Sequence, residues 1–115
     1  MKRVVITGLG AISPIGKNLE ELWDGILNKK CGIDEIKLFD STSFKTKLDA
    51  EVKNYNPLDY FDIKQAKRMD RCTQFAMIAA REAFKDSNIN SENTDLNRVG
   101  VFVSSGIGGL TTIQN

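Results

Sequence analysis

Two apolar runs lie near the ends of the chain, and neither alternates with polar residues. Residues 3–7 carry Val4-Val5-Ile6, and residues 99–104 carry Val101-Phe102-Val103 behind Val99 and Gly100. Continuous β-branched and aromatic runs of this length predict strands covered on both faces. Glycines stop each of them: Gly8 and Gly10 after the first, Gly106, Gly108 and Gly109 after the second. Between the runs the period changes from two to 3.6. Leu19, Leu22, Trp23, Ile26 and Leu27 fall at i, i+3, i+4, i+7 and i+8, one apolar helical stripe. Asn18 is placed to cap this helix, with Glu21 three residues on to complete a capping box. Lys29 and Lys30 suit its last turn and Gly32 its stop. Gly25 inside the helix costs about 1 kcal/mol relative to alanine, so the close approach of another backbone is expected there.

Residues 33–57 show weaker periodicity. Residues 39–43 read as a turn, residues 48–52 as a short, partly polar strand, and residues 54–57 as a break. Beyond them Asp62 with Gln65 opens a short helix, and Asp70 is placed to cap a second. In that second helix Cys72, Phe75, Ala76, Ala79, Ala80, Ala83 and Phe84 recur at helical spacing. Met77 and Ile78 widen the stripe, which predicts a mostly buried helix whose alanines permit close packing. Asn88 suits its left-handed stop, and Thr111 or Thr112 the cap of a helix not completed. Strands alternating with helices imply an α/β domain with an incomplete sheet.

Composition narrows the function classes. The 115 residues carry 41% hydrophobic and 27% charged side chains with a net charge of +1, ordinary for one small globular domain. So balanced a charge gives no global attraction to nucleic acid or membrane; a charged partner has to be recognised by a local patch. No apolar run approaches the length of a spanning helix or a secretory core, so a cytoplasmic location is expected. Cys31 and Cys72 lack metal-type spacing, and Cys72 reads as a packed thiol on an apolar face. No metal or cofactor is expected.

Three features carry candidate chemistry. The glycine turns could turn N–H groups toward a phosphate, but Gly8, Gly10 and Gly16 do not form the dinucleotide fingerprint, and Ser13-Pro14 occupies the place of the helix start. Close packing explains these glycines more simply. Lys64, Lys67, Arg68 and Arg71 stand at i, i+3, i+4 and i+7, a basic helical face that is either solvated or a dock for an acidic partner. Interleaved aromatics, which would favour nucleic acid, are missing. Catalysis finds little material: the sequence holds no histidine, and Ser104-Ser105 at a strand end has no evident activating base.

Four stretches together carry a resemblance. They are residues 3–16 (with Thr7-Gly8-Leu9-Gly10 and Ser13-Pro14-Ile15-Gly16), Cys31-Gly32-Ile33 with Phe39-Asp40, Ala66-Lys67-Arg68-Met69-Asp70-Arg71, and Ser105-Gly106-Ile107-Gly108-Gly109-Leu110. In this order they resemble the β-ketoacyl-acyl-carrier-protein synthases, most nearly the synthase II type, across residues 1–115. Cys72, where an aromatic is common, and Asp49-Ala50-Glu51-Val52, where Ala-Gly-Glu-Val is more usual, are small departures.

The resemblance implies the N-terminal portion of a thiolase-like αβαβα fold, ending before the nucleophile. The whole family enzyme is a homodimer that condenses an acyl thioester with malonyl-acyl-carrier protein in fatty-acid chain elongation. Its catalytic cysteine and two histidines have no counterparts here, so no catalytic residue is assigned and the chain alone is expected to be inactive. By position Ile107 matches a residue lining the acyl tunnel, and Lys64, Lys67 and Arg68 match cations that engage the acyl carrier protein. In the family's sheet, later strands separate the first two, so an isolated chain is expected to fold marginally. The alternatives are a polyketide ketosynthase segment and a stand-alone, non-catalytic module that binds the carrier protein or a synthase.

Overall fold

The computed structural model describes residues 2–114, apart from the side chain of Thr111. The chain forms two compact units: residues 11–55, and the chain before and after them.

In the unit of residues 11–55, Ser13 and Gly16 close a tight turn through reciprocal backbone bonds of 2.7 and 3.3 Å. Helix α1 follows at Leu19–Leu27, and the Asn18 side chain accepts the Glu21 N–H at 2.8 Å. The return bond of the expected capping box lands one residue early, from the Lys17 N–H to the Glu21 carboxylate. The helix also stops earlier than expected. Lys29 adopts a left-handed φ of 54°. Its N–H bonds to Ile26 O, and the Lys30 N–H to Gly25 O. That pair of bonds is the Schellman closure, with lysine in the place usually held by glycine. Lys29 and Lys30 therefore lie past the last turn, and Gly32 is not the stop. Gly25 is buried, and a Cβ there would come within 3.0 Å of Ile15 O, the backbone approach expected for it.

Strands β1 (Asp34–Glu35) and β2 (Leu48–Asp49) pair antiparallel, so only the first two residues of the expected 48–52 strand join a ladder. Beyond the ladder the Glu51 carboxylate accepts the N–H groups of Lys37 and Leu38 at 3.1 and 3.0 Å, a side chain standing in for a strand. The Lys53 ammonium bonds Asp34 at 2.7 Å. That bond, then the Glu35 N–H and the charges of Lys53 and Lys37, lower the Asp34 pKa to about 2. The expected turn forms around Asp40, whose carboxylate accepts the Thr42 N–H and titrates lower for it.

The other unit is helical. Helix α2 spans Ile63–Arg68, α3 Arg71–Ser87, and α4 Leu110–Gln114. Asn88 closes α3 in the left-handed conformation, as expected. Residues 8–10 run directly over α3. A Cβ on Gly10 would land on the backbone of Ala79 and Ala83, and one on Gly8 on that of Ala83 and Ser87. The Leu9 N–H bonds Asp86 at 2.9 Å. These glycines and alanines serve close packing.

The core of α3 is smaller than its stripe predicts. Only Gln74 and Ile78 are buried on α3; Cys72 is half-buried, and Met77 and Phe84 are exposed. The runs at residues 3–7 and 99–104 are not paired into a sheet among the described residues. Val4 is 92% exposed and Phe102 97%. A strand needs a neighbour for its N–H and C=O groups, and the described residues supply none for either run. Among the described residues no helix is long and apolar enough to cross a membrane.

Candidate functional site

Asp62 starts α2 by accepting the Gln65 N–H at 2.8 Å. The helix then exposes Lys64, Lys67 and Arg68, with the last two in its final turn, where cations complement the helix dipole. None of the three makes an ion pair with the described residues. The expected four-residue stripe does not continue to Arg71. Met69 is extended (φ −110°, ψ 131°) and ends α2. Arg71 begins α3, its guanidinium 5.0 Å from the centre of the Phe75 ring.

The corner between α2 and α3 is held by Gln74, a residue that sequence reasoning passed over. Its amide donates to Ala66 O and Met69 O, both at 3.0 Å, satisfying carbonyls at the end of α2. The signal was present: a polar residue one turn before Ile78, on the face that packs inward. Arg81 was also missed. It donates to Tyr60 O at 3.1 Å and lies 4.9 Å from the centre of the Phe61 ring, fixing the segment that leads into α2.

Asp70 has a different role from the one expected. It stands at the N-cap of α3 but makes no side-chain cap bond there. Its carboxylate instead accepts the Thr112 N–H at 3.0 Å and the Thr112 hydroxyl. The amide of the third residue of α4 is thus capped from 42 positions away, and the expected uncompleted helix is formed over Leu110–Gln114. The expected threonine cap is not found: Thr111 and Thr112 are the second and third residues of α4, which begins ahead of both at Leu110. Just before α4, Gly108 has a φ of 76°, which only glycine takes up without strain. Ser105 Oγ accepts the Gly108 N–H at 3.0 Å, so this hydroxyl shapes the turn. Ile107, at the tip, is 70% exposed. Asp70 therefore connects the corner that follows the basic helix to the segment that follows Ile107. Among the described residues no group of three or more Cys, Asp or Glu side chains is arranged to hold a metal ion.

The family model described as beta-ketoacyl synthase, N-terminal domain, matches residues 1–115. This chain belongs to the β-ketoacyl synthase family. Curated relatives agree. It is 46% identical over 113 residues to the 3-oxoacyl-[acyl-carrier-protein] synthase 2 of Staphylococcus aureus (strain N315), covering 98% of this chain. It is 42% identical over 113 residues to the synthase of that name from Coxiella burnetii. The chain spans 27% of the length of these relatives.

Among solved structures, the ishigamide ketosynthase/chain length factor superposes with a TM-score of 0.67 at 32% identity, over 80% of this chain and 23% of that one. A type II polyketide ketosynthase, solved in complex with its acyl-carrier protein, superposes with a TM-score of 0.60 at 22% identity over 84% of this chain and 25% of that one, a likeness of fold. The expected fold class stands: an incomplete α/β portion of a thiolase-like ketosynthase domain.

Proposed function

We propose that this chain serves a 3-oxoacyl-[acyl-carrier-protein] synthase, as the N-terminal part of the domain that condenses an acyl thioester with malonyl-acyl-carrier protein. The observation that carries this reading is the 46% identity across 98% of the chain to a synthase of that name. Within the synthase the chain supplies scaffold, docking and tunnel wall, and takes no catalytic part alone. Lys64, Lys67 and Arg68 dock the acidic carrier protein; their support is a shared helix, exposure to solvent and no ion pair with the described residues. Ile107 lines the acyl tunnel, supported by its place at the tip of a turn that Gly108 and Ser105 hold in shape. The enzyme acts in the cytoplasm as a homodimer.

A chimera tests the reading: this chain replaces the matched residues of the Staphylococcus aureus synthase. The expected result is a folded chimera that forms 3-oxoacyl product from malonyl-acyl-carrier protein. Reversing the charge at Lys64, Lys67 and Arg68 should then raise KM for the carrier substrates about tenfold or more, with kcat little changed, because exposed cations govern encounter. A folded but inactive chimera refutes the assignment. An unchanged KM after charge reversal refutes the docking role.

A further inference from the structure

Immediately beside the basic helix lies an open apolar hollow of about 510 Å³, lined by Leu58, Phe61, Asp62, Ile63 and Lys64. Phe61 is 5% exposed and forms its floor. Arg81 fixes that floor by stacking on the Phe61 ring and holding Tyr60 O. Leu58 and Ile63 stand on the rim at 55% and 60% exposure. Leu58 lies in a single 3-10 turn at Pro57–Asp59, which Asn56 caps by accepting the Leu58 N–H at 3.2 Å. Ile63 is the first residue of α2 and stands one turn before Lys67. The hollow and the cations are therefore continuous, and Lys64 belongs to both. Two carboxylates lie nearby, and each is engaged: Asp62 caps α2, and Asp59 accepts the Asn56 amide at 3.0 Å.

Charge alone steers an encounter without holding it, since exposed ion pairs contribute little and are screened by salt. An apolar hollow adjoining three cations has the chemistry to hold what the cations attract. We propose that Leu58 and Ile63 are a second, apolar half of the docking surface. The occupant is an acidic amphipathic helix that sets its carboxylates on Lys64, Lys67 and Arg68 and one apolar side chain into the hollow over Phe61. This rests on the carrier-docking reading above and adds to it the residues that set residence time and partner choice. The division of labour is physical: the cations set the association rate and its salt dependence, and the apolar pair sets the dissociation rate.

The test is a stopped-flow binding measurement between the full-length synthase chimera described above, which carries this chain, and fluorescently labelled acyl carrier protein, at low and moderate salt. Leu58→Ser with Ile63→Ser should raise the dissociation rate about tenfold or more and leave the association rate and salt slope unchanged. Charge reversal at Lys64, Lys67 and Arg68 should do the opposite, lowering the association rate and flattening the salt slope. Both rim positions are exposed, so the serine variants should keep the wild-type helical circular dichroism. Ile63→Arg is a second variant that strengthens the helix charge while removing an anchor; it should raise both rates. If charge reversal abolishes binding while the serine pair binds as tightly as wild type, the apolar half is overturned and the docking reading stands. If the folded chimera without these substitutions shows no salt-dependent binding at all, both are overturned.

Discussion

Gln74→Glu is the sharpest probe of how the basic helix is held, because it preserves shape and volume and changes one group. Gln74 is 7% exposed, and its amide donates two 3.0 Å bonds to Ala66 O and Met69 O. The substitution replaces that donor with an anion facing two carbonyl oxygens. Losing two bonds costs about 2 kcal/mol, and a buried charge facing two carbonyl oxygens raises the total to about 3–4 kcal/mol at neutral pH. The penalty depends on pH. Burial and the carbonyl dipoles raise the new carboxyl above its unfolded value of about 4.3. A raised acid is at its least destabilising below that unfolded value, where it is neutral and keeps one O–H donor. Stability is then lost as pH rises through the folded pKa. Gln74→Leu is the control, costing about 2 kcal/mol at every pH. Amide hydrogen exchange along α2 and the start of α3 is the assay, because it reads local opening directly. At about pH 7 the Glu variant should exchange more than a hundredfold faster than wild type, and near pH 4.5 only about tenfold faster. Protection equal to wild type at both pH values, or a deficit that does not change with pH, refutes the reasoning.

Two further outcomes follow from the geometry. Asp34, held near 2 chiefly by its Lys53 bond, is stabilising above its unfolded pKa near 4, and that contribution is lost as pH falls through about 2. In Lys53→Met its NMR titration midpoint should move up toward the ordinary carboxylate range, and an unmoved midpoint refutes the pairing. Gly10→Ala places a methyl on the Ala79 and Ala83 backbone of α3, so the overlying segment should loosen by about 1–3 kcal/mol. The Leu9 amide, bonded to Asp86, should lose protection accordingly, and unchanged exchange there refutes the close contact.

What could be read from the sequence divides by the distance over which each interaction acts. The starts of α1 and α2, the stop of α3 at Asn88 and the turn at Asp40 were legible because each is made by residues a few positions apart. The end of α1 was misplaced because a lysine took a conformation that composition assigns to glycine. The basic face was legible, but its loss of Arg71 was not, since the extended Met69 between two helices breaks a period that the sequence continues. Gln74, Arg81 and Asp70 act across 5 to 42 positions, and no local pattern announces those partners. The two strand runs are the extreme case. Their apolar character was plain, and their neighbours are not among the described residues.

Those runs also determine where the stability of this chain can come from. Val4, Val5, Ile6, Val101, Phe102 and Val103 are between 59% and 97% exposed. Burying a side chain of this kind contributes about 1.5–3 kcal/mol, so the six together represent on the order of 10 kcal/mol not realised within the chain. That is the size of a whole domain's net stability. The caps, the Schellman closure and the Gln74 corner satisfy polar groups, each with a net contribution of about 1 kcal/mol, and cannot replace a missing apolar core. The order in these helices therefore specifies geometry more than it supplies energy. A docking face of this kind is rigid only as far as α3 is anchored, and α3 is anchored chiefly through Gln74, Ile78 and the glycine segment at residues 8–10. The first run, residues 3–7, leads directly into that glycine segment. A strand partner for Val4–Ile6 would thus hold the glycine segment against α3, and through Gln74 steady the helix that carries Lys64, Lys67 and Arg68.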